Sequence, residues 1–346
     1  MKILIITQKV NLDDPVMSFF HRWISEFSRH FERVTVICLE MGKYELPENV
    51  RVLSLGKEEK QSRKQYLARF YSYVWNERKN YDVVLSHMNQ EYILLAGWLW
   101  KLLGKRIYMW RNHHVGDELT DMAAAFCNKI FCTSRYSYTI KFKKTRVMPV
   151  GVDTDLFRPL PVDERKRRSI LFLGRIAPVK RVHFLIDALK TVNQDKVEFS
   201  ASIYGDASAR HHDYYADLVN NVNKSGLASK ILFHGGIPNT DTVSVYNSHD
   251  LFVNLSSSGM YDKTIFEAMA CGTLALSSNE NLRGEIDDRL VVDEDSLDDL
   301  VKKIKIVLAM PEQEKDEFRI RIRDYAKSRH SLPLLAIKLK EEMSSR

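Results

Sequence analysis

Residues 256–278, SSSGMYDKTIFEAMACGTLALSS, constrain the fold more than any other stretch. An apolar run at 250–255 reads as a strand entering it, and residues 273–276 as a second strand leaving it. Between them lie a polar loop with Gly259 and a short helix. Ile265, Phe266, Met269 and Ala270 make one apolar face of that helix, which puts Glu267 near its first turn and off the core face. Strand, loop and helix N-terminus together form an anion pocket in an open α/β sheet. Thr264 followed by Glu267 is also a capping-box pattern, in which Glu267 serves only the helix. Asp262 is a second candidate cap and would free Glu267 for a ligand such as a nucleotide-linked sugar.

A chain of 346 residues, 45% apolar, is long enough for two domains with full cores. Cys38, Cys127, Cys132 and Cys271 have no CxxC spacing and are expected as buried free thiols. Residues 1–7 are a short β-type run rather than a signal peptide, and no apolar run reaches membrane-spanning length. A cytoplasmic protein is therefore expected. The net charge of +7 comes from abundant residues of both signs. It suits an anionic small ligand or an anionic membrane surface, and it does not argue for nucleic acid.

Residues 2–7 are predicted as a buried strand, 8–14 as its loop, and Asp14-Pro15 as a cap with proline at the first helical position. A helix and a strand at 34–39 follow, the β–loop–α–β order of a parallel sheet. The loop lacks glycine and is not a dinucleotide fingerprint. Residues 57–80 mix lysine and arginine with aromatics. They read either as a helix lying on an anionic bilayer or as an ordinary surface helix with an aromatic inner face. The strand at 106–110 runs into Arg111, Asn112, His113 and His114. Histidines at the carboxyl end of a parallel strand occupy the usual site position, near a sugar or a phosphate, while metal ligation lacks a local third ligand. Asp153 and Asp155 have DxD spacing but sit in a turn, where local hydrogen bonding is the commoner role.

Residues 158–169 have linker composition, and the strand pattern restarts at 170–173. The loop Gly174-Arg175-Ile176-Ala177-Pro178-Val179-Lys180 combines a glycine with two cations before a helix, which suits a diphosphate. Further strands end at Gly205 and at Gly235.

Together MPVGVDTDLFRP (148–159), FLGRIAPVKRVHFLIDAL (172–189), the block at 250–276 and the terminal helices resemble the retaining glycosyltransferases of family 4. The resemblance covers nearly all of the second half and is less specific in the first. It implies the GT-B fold: two Rossmann-like domains facing across a cleft, residues 1–160 and 161–328. A C-terminal helix in 329–346 would cross back to the first domain. It implies sugar transfer from a nucleoside-diphosphate sugar to a hydroxyl acceptor, with no metal or other cofactor required. Arg175 and Lys180 would bind the diphosphate, and Glu267 the ribose hydroxyls. Gly174, Gly205 and Gly235 would line the nucleotide, and His113 or His114 would sit near the transferred sugar.

Two positions depart from the family pattern. The first of its two glutamates falls on Gly259, so the acid that meets the donor sugar is missing. Asp262 is the expected replacement, with Lys263 adding a contact to sugar or phosphate and Thr264 beside them. The opening loop carries residues 9–14 where many relatives have paired glycines. Rival readings are another GT-B enzyme, such as a phosphorylase or an epimerase, and a degenerate sugar-nucleotide-binding protein.

Overall fold

The computed structural model describes residues 1–14, 16–161 and 165–345. It divides into two compact units, residues 1–151 with 332–346, and residues 152–331.

The first unit comprises β1 (Lys2–Val10), α1 (Ser18–Ser28), β2 (Arg33–Met41), β3 (Val50–Ser54), α2 (Arg63–Asn76), β4 (Val83–His87), α3 (Glu91–Leu102), β5 (Arg106–Trp110), α4 (Glu118–Phe126), β6 (Lys129–Cys132) and β7 (Thr145–Val147). Among the described residues these strands form one parallel sheet in the order β3-β2-β1-β4-β5-β6-β7. Alternate residues of β1 feed two cores. Ile3 and Ile5 pack with α1, while Leu4 and Ile6 pack with Phe70, Val74, Ile93 and Trp100.

β1 is longer than the predicted 2–7. Lys9 pairs with Glu40 and Val10 with Met41 on β2, and the Lys9–Glu40 ion pair couples directly opposite side chains. Cross-strand pairing therefore carries the strand through polar residues that read as a loop. Asp14 accepts from the backbone N–H of Val16 at 2.9 Å and of Met17 at 2.7 Å, so it caps a turn, and the helix itself begins at Ser18. The predicted proline at the first helical position, Pro15, lies outside the described residues.

The second unit comprises β8 (Lys166–Leu173), α5 (Val182–Gln194), β9 (Ser200–Tyr204), α6 (His212–Lys224), β10 (Ile231–Gly235), α7 (Thr242–Ser248), β11 (His249–Asn254), α8 (Lys263–Ala270), β12 (Leu274–Ser277), α9 (Leu297–Ala309) and α10 (Glu312–His330). Its parallel sheet has the order β10-β9-β8-β11-β12. β8 starts at Lys166, inside the predicted linker, because the Asp250 carboxylate accepts from the Arg168 N–H and pins this end to β11. Linker residues 162–164 lie outside the described residues.

The last helix, α11 (Leu332–Ser344), packs in the first unit, as the resemblance implied. Leu335, Ala336 and Leu339 join the core of Trp23 and Phe27, and the Met343 carbonyl accepts from Arg106 and Tyr108. All four cysteines are free and buried, and burial pushes the Cys38, Cys127 and Cys271 thiols up to about 12. Among the described residues no helix is long and apolar enough to cross a membrane.

Candidate functional site

In the second sheet β8 and β11 are neighbours, yet the chain leaves β8 towards β9 on one side and reaches β12 from β11 on the other. The loops at their carboxyl ends therefore part at a topological switch point, where open α/β sheets form a crevice. These are the loops bearing Gly174 to Lys180 and Ser256 to Asp262.

After β8, Arg181 adopts a left-handed backbone (φ 55°, ψ 37°), which disfavours a residue with a Cβ. Its guanidinium holds the turn by donating to the Glu294 carbonyl and pairing with Asp295 at 3.1 Å. The turn leaves the preceding Lys180 half-buried against the β11 loop. Its Nζ pairs with Asp262 Oδ2 and donates to Ser256 Oγ at 3.1 Å. Arg175 is exposed, and among the described residues it has no hydrogen-bond or ion-pair partner.

Asp262, not Thr264, caps α8, accepting from the Thr264 N–H at 3.5 Å. Its Oδ2 also accepts from Asn254 Nδ2 at 3.0 Å and Ser256 Oγ at 3.2 Å. Burial would raise the pKa of this carboxyl, but the Lys180 charge and these donors hold it far below the usual carboxylate range. Thr264 Oγ1 accepts from Asn254, and Lys263 opens the helix.

The Glu267 expectation needs correction. It is 3% exposed, not turned off the core face, because Tyr246 of α7 covers it. The Tyr246 hydroxyl donates to Glu267 Oε2 at 3.2 Å, and burial first, with the Glu267 charge second, pushes that phenol well above its ordinary range.

The three glycines sit at the same edge. The Gly174 N–H donates to the Tyr204 carbonyl at 3.0 Å, and the Gly205 N–H to the Gly235 carbonyl at 2.8 Å. A Cβ on Gly205 would lie 1.8 Å from the Gly174 carbonyl oxygen, so only glycine lets these loops meet.

In the first unit, His113 and His114 are exposed beyond β5, their rings stacked 4.8 Å apart. His113 Nδ1 lies 2.9 Å from the Val115 nitrogen and 3.0 Å from its carbonyl oxygen, so the loop backbone engages it, and among the described residues Nε2 is left open. Asp153 accepts from the Asp155 and Leu156 N–H groups, the turn role its position suggested. Among the described residues no group of three or more His, Cys, Asp or Glu is placed to hold a metal ion.

The structure thus joins Lys180 to Asp262 and gathers Gly174, Gly205 and Gly235. Sequence reasoning missed Ser256 and Tyr246 as partners. Ser256 could have been found as the polar residue ending the β11 run, but no local pattern marks Tyr246.

The family model described as "Glycosyl transferases group 1" matches residues 154–329. The mannosylfructose-phosphate synthase of Agrobacterium fabrum is 28% identical over 150 residues, 39% of this chain and 33% of that protein. The lipopolysaccharide core biosynthesis mannosyltransferase LpsB of Rhizobium meliloti is 27% identical over 146 residues, 39% of this chain and 41% of its own length. The chain therefore spans well under two thirds of either relative. Among solved structures, Anabaena Alr3699/HepE in complex with UDP superposes with a TM-score of 0.80 at 18% identity, covering all of both chains.

Proposed function

Because the chain belongs to the glycosyl transferases group 1 family, we propose that it is a retaining transferase of sugar from a nucleoside diphosphate to a hydroxyl acceptor. The observation that carries this reading is the half-buried Lys180 ammonium, held at the switch-point edge of the second sheet next to the start of α8. Lys180 and the exposed Arg175 bind the diphosphate and offset the charge that grows on it as the bond to C1 breaks. The helix N-terminus adds positive potential. Glu267, on the same helix and held by the Tyr246 hydroxyl, takes the ribose hydroxyls. Asp262 Oδ1, whose cap bond is long, faces the sugar hydroxyls in place of the glutamate absent at Gly259. Lys263 and Thr264 border the sugar, while Gly174, Gly205 and Gly235 let the backbone approach the nucleotide. His113, with Nε2 open, is the histidine assigned to the transferred sugar.

The chemistry is a front-face substitution. The bond from C1 to the phosphate oxygen breaks, the acceptor oxygen bonds to C1 on the same face, and the acceptor proton passes to the departing diphosphate. The test is thermal stabilisation by UDP, GDP, ADP and their sugars, with and without divalent ions. UDP comes first because HepE was solved with it. A shift with one diphosphate, followed by turnover of its sugar conjugate, supports the reading. No shift with any of them favours a degenerate protein.

The acceptor reading extends to a membrane surface. Trp75 on α2 and Trp98 on α3 are 49% and 50% exposed, and Leu102 is 78% exposed. The two helices are neighbours, since Tyr71 of α2 donates to the Leu95 carbonyl of α3 at 2.8 Å, an oxygen that also accepts from Trp98 at 2.9 Å. The exposed cations Lys64, Lys79 and Lys101 lie on the same helices or just beyond them. Such a face suits peripheral contact with an anionic bilayer. Sedimentation with vesicles of rising anionic-lipid content tests it; binding that ignores lipid charge and survives Trp75→Ala with Trp98→Ala sinks it.

A further inference from the structure

Resting on the diphosphate role just proposed, we propose that Asp262 is a positioning residue for Lys180: with Ser256 it fixes the ammonium so that one N–H remains for the diphosphate. A lysine ammonium has three donors and a flexible stem. Here two donors are committed, one to Asp262 Oδ2 and one to Ser256 Oγ. The partners are themselves fixed. Ser256 donates to the same Oδ2, Asn254 donates to it as well, and the Ser256 N–H is held by Asn254 Oδ1 at 3.1 Å. Asp262 cannot drift, because its backbone starts α8 and its carbonyl accepts from the Ile265 N–H. The side chains of Lys180 and Asp262 are 16% and 15% exposed, so water competes little for either. A carboxylate that served the sugar alone would not need Oδ2 packed among three donors. The arrangement is a preorganised cation, oriented before the donor arrives.

The experiment is calorimetric titration with sugar-free UDP, GDP and ADP. Removing the sugar isolates this role from a contact between Asp262 and sugar hydroxyls. Asp262→Ser keeps a helix cap but cannot reach Lys180. It should weaken binding of whichever diphosphate the wild type takes by about tenfold, with a melting temperature close to the wild type. Asp262→Asn, whose amide oxygen can still accept from Lys180, should recover part of the loss. Lys180→Ala should lose at least as much, and adding Asp262→Ser to it should cost little more, because the aspartate acts through the lysine. Unchanged diphosphate binding in Asp262→Ser, tighter binding, or losses that simply add in the double variant would each overturn the proposal. A wild-type protein that binds none of the three diphosphates removes the transferase reading itself, which is a different failure.

Discussion

In the second unit Lys180 reaches Ser256 and Asp262 across 76 and 82 residues of chain, whereas in the first unit His113 bonds the backbone of Val115 two residues away. The first arrangement is half-buried and requires two parallel strands, their register and the start of α8 to be in place. The second is exposed, and its ring bonds stay within its own loop, whose backbone is held at the His113 carbonyl by the Tyr138 N–H at 2.8 Å. A site built from long-range contacts is rigid and tied to the stability of its sheet; one built from local contacts can be altered with little effect on the fold. The rigidity of the first arrangement suits the proposed chemistry, in which Lys180 must hold a diphosphate in fixed geometry.

The largest expected break in this comparison is Lys180→Ala. Removing one preorganised cation should cost about 10²–10³ in turnover, roughly 3–4 kcal/mol of transition-state stabilisation. Circular dichroism should show the fold retained, because the partners Asp262, Asn254 and Ser256 keep each other satisfied. Turnover within a few-fold of the wild type would reject the phosphate role. Next comes Glu267→Ala, which leaves the fully buried Tyr246 hydroxyl without this acceptor and should cost about 1–3 kcal/mol in urea denaturation. Glu267→Gln keeps an acceptor oxygen and should retain most of that stability. Equal losses in both variants would mean that the charge, not the hydrogen bond, holds the α7–α8 contact.

The pH dependence follows from the depressed Asp262 carboxyl. Its folded pKa lies below the unfolded value of about 4, so its contribution to stability is complete above that value. That contribution is lost only as the pH falls below about 4 and through the lower folded pKa. Chemical denaturation from pH 7 to pH 3 should show a smaller acid loss in Asp262→Asn than in the wild type. Identical slopes would mean that the ion pair does not form in solution.

What could be read in advance divides along the same line. Parallel α/β order was legible because strands buried on both faces are near-continuous Ile, Leu and Val, and Lys180 and Asp262 stood out by residue type and position in loops after strands. Their mutual contact was not legible, since register between β8 and β11 decides it. The burial of Glu267 was misread for the same reason. Its helix face points outward by period alone, and only the fold brings Tyr246 over it. β1 was cut short because Gln8 and Lys9 are polar, while the cross-strand partner that extends the strand, Glu40, lies 31 residues on.

The smallest structural effect is expected at the histidines, and it sharpens the comparison most. His113→Ala and His114→Ala each remove an exposed ring whose contacts are local, so stability should change by about 0.5 kcal/mol or less. Their effects on turnover should nevertheless differ. The Val115 backbone fixes the His113 ring and leaves Nε2 available, whereas among the described residues His114 has only the stacked His113 ring. His113→Ala should therefore lower kcat about tenfold or more, on the scale of a lost hydrogen bond to a charged or reacting group. His114→Ala should act mainly by freeing its neighbour, and so more weakly. Steady-state kinetics on the pair, with melting temperatures alongside, decides between them. If His114→Ala is the more damaging, the anchored ring is a scaffold and the outer histidine meets the sugar. If either variant melts well below the wild type, the loop is not locally built, and the contrast between the two units fails at its simpler end.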